Sequence, residues 1–223
     1  MKLSMINKKL NNDFIVLASS SARRIKIMED IGWDFVNISP DIDETMLEGE
    51  NAKDLVSRLS YNKAFEVSKK FSAGIVIAAD SIVEVDSEVF GKPETSEQAT
   101  YMLTTIRSKE HNIITGVTVM DANTGCFKSD HSEIKVLGRR FTDQEIQDSI
   151  SVGTPFDKAG GYAIQDKVLS PVALIEGCYL GALGLPTCTV TRLIKDLFGK
   201  IPAGCFSPEK FCKPHCKLEA GAL

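Results

Sequence analysis

Two arginines and a lysine follow a run of serines near the start of the chain, in a pattern suited to binding an anion. Residues 15–18 form a short apolar strand, residues 19–21 are serines, and Arg23, Arg24 and Lys26 fall in the first turns of a predicted helix. Cations there oppose the helix dipole, which favours negative charge at the N-terminus. A bound phosphate would relieve this, because backbone N–H groups, serine hydroxyls and guanidinium groups would share one acceptor. The segment predicts a phosphate site or, alternatively, a solvated basic helix face.

Three charged residues stand out from the segments that contain them. Asp80 interrupts the β-branched strand predicted over residues 74–83, so it should pair with a cation, bind a metal or act in acid–base chemistry, unless it is a turn aspartate. Lys63 falls on the apolar side of a helix predicted over residues 52–71, where it either snorkels to water or reaches a buried anion. Glu44 lies in an acidic loop of the kind that is usually solvated, and it is the carboxylate of that loop that stands next to Thr45.

Two later segments are also built to place side chains. Lys92 stands between a glycine and a proline, which fix the backbone around it. Residues 154–166 contain an Asp-Lys pair, two adjacent glycines that allow close approach to a ligand, and Gln165, whose amide both donates and accepts hydrogen bonds. Glutamine suits recognition of the edge of a nucleobase.

The elements that must hold these residues alternate between strand and helix. The first strand, over residues 15–18, is followed by a helix. Later in the chain, residues 112–121 and 126–136 form two long strands joined by a hairpin. A final helix starts near residue 184 and ends near residue 198. The length of 223 residues is within the range of one α/β domain, or of one domain with a smaller lobe.

Composition limits the classes of partner. The net charge of −4 gives no general attraction to nucleic acid, so the cation cluster should serve a small ligand. The polar leader over residues 1–13 lacks the apolar core of a signal peptide, which predicts a cytoplasmic protein whose six cysteines stay reduced. The uncharged segment over residues 177–191 is too short to span a bilayer. Residues 200–223 contain three prolines and are predicted to be an irregular tail.

The order of these motifs over residues 14–199 resembles the Maf family, the nucleoside triphosphate pyrophosphatases first named as septum formation proteins. The matching segments are Leu17-Ala18-Ser19-Ser20-Ser21-Ala22-Arg23-Arg24, Asp43-Glu44-Thr45, Lys63-Ala64, Ala79-Asp80-Ser81, Gly91-Lys92-Pro93, His111 with Thr115-Gly116-Val117, Asp157-Lys158-Ala159-Gly160-Gly161-Tyr162-Ala163-Ile164-Gln165, and Gly184-Leu185-Pro186. The chain departs from the family pattern at Ala22, where proline is usual, at Ser81, where threonine is usual, and at Asp166, where glycine is usual. Asp166 puts a negative charge beside the expected nucleotide pocket, which affects substrate preference more than activity.

The resemblance implies a two-lobed α/β fold with a mixed sheet and a central cleft, similar to inosine triphosphate pyrophosphatases. It implies hydrolysis of a nucleoside triphosphate to the monophosphate and pyrophosphate with a divalent metal, Mg²⁺, Mn²⁺ or Co²⁺, and a homodimer is a further expectation. The implied roles fall into three groups: catalytic residues Asp80, Glu44 and Lys92; substrate-binding residues Ser19, Ser21, Arg23, Arg24, Lys63, Ser81 and Gln165; and metal ligands Glu44 and Asp80.

The run that ends in Gln165 resembles the branch of the family acting on dTTP and UTP. Arg23 supports this, because the branch acting on 7-methyl-GTP tends to have tryptophan there. Two alternatives stay open: a pyrophosphatase for ITP or XTP, which an assay of ITP beside dTTP would separate, and a non-enzymatic nucleotide-binding regulator of cell division. The second has no need of a carboxylate such as Asp80 in a β-branched strand.

Overall fold

A computed structural model of the chain describes residues 14–202, residue 205 and the backbone of residues 217–219. The strands are β1 (Ile15–Ala18), β2 (Phe35–Ile38), β3 (Ile75–Val85), β4 (Glu88–Phe90), β5 (Glu110–Asp121), β6 (Phe127–Gly138), β7 (Val172–Glu176) and β8 (Lys217–Glu219). The α-helices are α1 (Ala22–Asp30), α2 (Ala52–Ser68), α3 (Ser96–Ile106), α4 (Asp143–Ser151), α5 (Tyr179–Ala182) and α6 (Thr187–Phe198). Two short 3-10 turns cover Thr154–Asp157 and Ala159–Gly161.

The strands form one mixed sheet in the order β2-β1-β3-β5-β6-β7-β8, with β4 beside the far end of β3. Strands β2, β1 and β3 are parallel, and the remaining pairs are antiparallel. Strand β8 lies in the tail that was predicted to be irregular, so this part of the prediction differs from the structure. The leader over residues 1–13 and most of the tail lie outside the described residues.

Strand β3 runs through both halves of the molecule and leaves a gap on one edge. Its first residues, Ile75–Ala78, pair with β1, and Val83–Val85 pair with β4. Residues 79–82 therefore have no neighbour on that edge among the described strands, whereas β5 pairs with β3 along the other edge. Asp80 lies in this gap.

The hydrophobic core divides at the same place. One cluster joins the end of β3 to α3, α4 and β7, and includes Leu103, Phe141 and Leu169. Two others surround β1 and the start of β3 and bury residues of α1, α2 and α6, and a fourth packs α2 against Ile82 of β3 and Ile114 of β5. The predicted α/β fold with a mixed sheet and two lobes is confirmed. No helix in the described ranges is long and apolar enough to cross a membrane.

Close packing of α2 on β5 brings one wall of the gap near the sheet. Gly116 faces Asp80 across the β3–β5 pairing, and a Cβ atom at Gly116 would lie 2.3 Å from the Val56 carbonyl oxygen. The missing side chain therefore lets α2 approach the sheet. Lys63, near the end of the same helix, is buried as a result.

Candidate active site

A cleft of about 990 Å³ opens at the gap, between the two lobes. The parallel strands β1 and β2 end here, beside the middle of β3, and the carboxyl ends of parallel strands are the edge where open α/β sheets bind ligands. Nine of the predicted site residues line it: Ser19, Ser21, Arg23, Arg24, Glu44, Lys63, Asp80, Ser81 and Lys92.

The serine turn presents the start of α1 to the cleft. Ser19 is buried, its amide donates to the Ile38 carbonyl at 3.0 Å, and its hydroxyl accepts from the Ser21 amide at 3.1 Å. Ser21 is the N-cap of α1, but its side chain makes no capping hydrogen bond, and the first turn has no acidic residue. The helix therefore offers N–H groups and a positive dipole to an anion in the cleft.

Arg24 is held rigidly at the floor of the cleft. Its Nε donates to the Gly184 carbonyl at 2.7 Å, and its Nη2 donates to the Ser81 hydroxyl at 2.9 Å. The Ser81 hydroxyl is also 2.8 Å from Thr115 Oγ1. Burial lowers the pKa of Arg24, although the nearby charge of Asp80 opposes the change. The guanidinium is fixed before any ligand arrives.

Arg23 reaches the cleft from the preceding position of α1. Burial lowers its pKa, and the charge of Asp157 and the Tyr162 side chain oppose that change. Tyr162 is buried and its hydroxyl lies 2.6 Å from His111 Nε2. Burial lowers the pKa of His111 to about 4 and raises that of Tyr162. A neutral histidine and tyrosine thus lie behind the arginine.

Two carboxylates meet around one buried ammonium. Lys63 Nζ donates to Asp80 Oδ1 and lies 2.6 Å from Glu44 Oε1. Only 8% of the Lys63 side chain and 10% of the Asp80 side chain are exposed, against 47% for Glu44. Of the two possibilities for Lys63, the structure shows the buried anion and not the snorkelling side chain. It also gives Asp80 a cation partner.

Glu44 bridges the two lobes electrostatically. Its Oε2 atom lies 4.0 Å from Lys92 Nζ on the opposite wall, while its Oε1 atom faces Lys63. Partial burial tends to raise the Glu44 pKa, but the hydrogen bond from Lys63 and the charges of Lys63, Lys92 and Arg24 outweigh it and lower the pKa. Glu44 is therefore ionised at neutral pH.

Gln165 is the predicted site residue that the structure does not bring to the cleft. It is exposed in the turn after Tyr162 and is not among the residues that line the cavity. The start of the same segment does reach the site: Phe156, Asp157 and Ala159 line the cleft, and the Gly160 amide donates to the Gly91 carbonyl at 3.0 Å. This placement gives no support to base reading by Gln165, which stays a prediction.

Several lining residues were not singled out from the sequence. Apolar side chains of Pro40, Met46 and Phe156 contribute part of the wall, and the exposed carboxylates Glu94 and Asp157 stand at its rim. Nothing in the local sequence marks the apolar residues or Glu94, because single apolar residues and single carboxylates are common in loops. Asp157 alone carried a signal, as part of the Asp-Lys pair.

The mixed sheet, the serine turn and the cations grouped with two carboxylates define an α/β protein whose cleft has the charges that suit a phosphorylated ligand. Residues 14–197 match the family model described as Maf-like protein, and the chain belongs to that family. It is 38% identical over 183 residues to a dTTP/UTP pyrophosphatase of Geotalea uraniireducens, covering 82% of this chain and 94% of the relative. It is 42% identical to one of Carboxydothermus hydrogenoformans, covering 82% and 96%. The family and branch predicted from the motifs are confirmed.

Among solved structures, the chain is similar to the Staphylococcus aureus Ham1 protein. The match has a TM-score of 0.38 and 19% identity, and it covers 56% of this chain and 71% of that chain.

Proposed function

We propose that this chain hydrolyses dTTP and UTP between the α and β phosphates and releases the nucleoside monophosphate and pyrophosphate. The observation that carries the proposal is the grouping of Asp80 and Glu44 around Lys63, next to the buried Arg24. The names of the relatives supply the substrates. A nucleoside triphosphate is also the partner that best suits a chain of net charge −4 with a local cluster of cations.

The binding side of the site would neutralise the triphosphate. Ser19, Ser21 and the N-terminus of α1 would donate to phosphate oxygens, and Arg23 would add a guanidinium. The Lys92 side chain is 55% exposed on the opposite wall, and it would move to contact the phosphates as the ligand binds. Arg24 is already engaged with Gly184 and Ser81, so it would act as a fixed positive charge and not as a mobile clamp.

The chemical side would activate water. A water molecule attacks the α phosphorus, its proton passes to the Asp80 carboxylate, and the bond from the α phosphorus to the bridging oxygen breaks. The electron pair leaves with pyrophosphate, whose added charge Lys92 and Arg23 would stabilise. Lys63 donates a hydrogen bond to Asp80 Oδ1 and would hold the carboxylate in position for that proton transfer.

The donor set also suits a divalent metal. Glu44 and Asp80 are hard oxygen ligands, and Mg²⁺ is commonly bound by one or two carboxylates together with substrate phosphates. No cluster of three or more metal-ligating side chains occurs in the described part of the chain, which fits a metal shared with the substrate better than a site built from protein alone. When bound, Mg²⁺, Mn²⁺ or Co²⁺ would polarise phosphate oxygens and assist ionisation of water.

A product assay tests the proposal. The protein is incubated with Mg²⁺, Mn²⁺ or Co²⁺ and with dTTP, UTP, CTP and ITP, and pyrophosphate and orthophosphate are measured separately. We expect pyrophosphate as the first product and dTTP or UTP as the best substrate. The Asp30→Asn variant, which is altered on the exposed face of α1, serves as a control and should give the same products as the wild type. Orthophosphate as the first product, or no turnover of any nucleotide, would contradict the proposal. Preference for ITP would support the alternative, a pyrophosphatase for ITP or XTP.

The cytoplasmic location and the homodimer stay predictions. The mass in solution tests the second of them against the 24.4 kDa of one chain.

A further inference from the structure

The loop that carries Glu44 has no helix or strand of its own. Residues 39–51 join β2 to α2, and Glu44 reaches lysines that belong to other elements. The position of its carboxylate therefore depends on what holds the loop. Electrostatic attraction to Lys63 alone would not fix the backbone, because a half-exposed glutamate can pair with a cation in several rotamers.

Arg58, on α2, holds this loop by three hydrogen bonds. Its Nε donates to Glu50 Oε1 at 2.6 Å, and its Nη2 donates to Glu50 Oε2 at 2.7 Å and to the Thr45 carbonyl at 2.9 Å. The carbonyl directly after Glu44 is thus attached to the helix. Only 7% of the Glu50 side chain is exposed, so the two-pronged pair is shielded from solvent on the carboxylate side.

Hydrogen bonds within the loop pass this restraint along the chain. Glu50 Oε2 also accepts from the Leu47 amide at 3.0 Å, and the Glu50 amide donates to the Leu47 carbonyl at 3.1 Å. On the other side of Glu44, Asp43 Oδ1 accepts from the Thr45 amide at 2.8 Å. The backbone on both sides of Glu44 is therefore tied into one turn, and Arg58 attaches that turn to α2.

We propose that Arg58 is a positioning residue for the reaction, which holds the Glu44 carboxylate between Lys63 and Lys92 by fixing the Thr45 carbonyl. This inference rests on the proposed function. Arg58 and Lys63 lie five positions apart on one helix, so α2 supplies both the residue that fixes the loop and the ammonium that receives Glu44. Arg58 does not line the cleft, so the contact by which it would position Glu44 is the one with the loop.

The three hydrogen bonds to the loop require the planar guanidinium group of an arginine. A lysine would keep the charge but could not donate to both Glu50 oxygens and the Thr45 carbonyl from one planar group. Arg58→Lys should therefore loosen the loop while leaving α2 intact. A catalytic carboxylate displaced by about 1 Å can cost up to roughly 10²-fold in rate.

The test combines kinetics with amide hydrogen exchange. Arg58→Lys and Glu50→Gln are each made alone and in a Glu44→Gln background, with Lys53→Met as the control on the same helix, where Lys53 pairs with Glu133 at 2.9 Å. We expect roughly 10- to 100-fold lower kcat for Arg58→Lys and Glu50→Gln with a small change in KM. In the Glu44→Gln background the same changes should cost less than about threefold, because coupled residues are not additive. Thr45 and Leu47 amides should exchange faster, and Lys53→Met should change neither readout.

The outcomes separate the two proposals. Equal losses of kcat in both backgrounds, or unchanged exchange at residues 43–50, would overturn the role of Arg58 while the pyrophosphatase activity stands. A wild-type protein that releases no pyrophosphate would overturn the proposed function, and the role of Arg58 in catalysis with it. Melting curves identify any variant that fails to fold, and Glu50→Gln then tests the same contact from the other side.

Discussion

Replacing Lys63 with methionine removes the ammonium that Asp80 and Glu44 share, while the new side chain fills most of the same space. Asp80 is then a carboxylate with a 10% exposed side chain and no lysine beside it, and removing one partner of a buried pair costs about 3–5 kcal/mol. The Glu44 share is small, about 0–1 kcal/mol, because its side chain is 47% exposed. Arg24 partly compensates the Asp80 charge, so we expect the lower end, about 3 kcal/mol.

That loss in the free energy of unfolding is measurable as a decrease in the melting temperature. For a chain of this size, about 1 kcal/mol corresponds to roughly 2–4 °C, so Lys63→Met should melt about 6–12 °C below the wild type at pH 7. The matched control is Lys26→Met, whose exposed pair with Asp30 on α1 should change the melting temperature little. Turnover of dTTP should also fall, because the two carboxylates lose their common partner.

The difference in melting temperature between the wild type and Lys63→Met should also change with pH in a definite direction. The folded pKa of Glu44 lies below its ordinary value of 4.5, mainly through Lys63 once the opposing effect of burial is overcome. This contribution to stability is complete above the unfolded pKa and is lost as pH falls through the folded pKa. Lys63→Met lacks it, so the gap in melting temperature should be widest near pH 7 and should narrow below about pH 4.5. An unchanged melting temperature at pH 7, or a gap that widens as pH falls to 4, would refute the reasoning.

Three further changes test other parts of the site. Asp80→Asn should lower kcat at least roughly 10²-fold while nucleotide affinity persists through the cations, and a folded variant with near wild-type turnover would remove Asp80 from the mechanism. His111 has a folded pKa of about 4, so the wild type should lose stability as pH falls from about 6.5 towards 4, and His111→Gln should flatten that slope in acid melting curves. Gln165→Ala should flatten the preference among dTTP, UTP and CTP, as the motif predicts; an unchanged ranking would agree with the exposed position of the residue.

Long elements with strong patterns were predictable from the sequence. The helix predicted over residues 52–71 is α2 (Ala52–Ser68), and the strand predicted over 74–83 is β3 (Ile75–Val85). Their apolar patterns extend over several turns or pleats, so local sequence is enough. Strand β8 was missed because three residues are too few to show a pattern, and pairing with β7 defines it.

Two charged residues of the candidate site were predictable for a different reason: each lies at a position where the local pattern is apolar. Asp80 in a β-branched strand and Lys63 on an apolar helix face are each costly alone, and the structure makes each the partner of the other. The sequence shows both irregularities but not their pairing, because contact between residues 17 positions apart depends on how closely α2 approaches the sheet. That approach depends on Gly116, whose role is visible only when the Val56 carbonyl is seen beside it.

Loop residues were the hardest to predict because their roles depend on backbone geometry. The acidic segment containing Glu44 has the composition of a solvated loop, and most of its side chains are exposed. What distinguishes it is Arg58, which looks in the sequence like any charged residue on a helix surface. Its guanidinium binds one carboxylate and one carbonyl of the loop, and these contacts turn an exposed segment into a support for Glu44. If Arg58 has the role proposed here, the rate of hydrolysis depends on a residue that touches neither substrate nor metal.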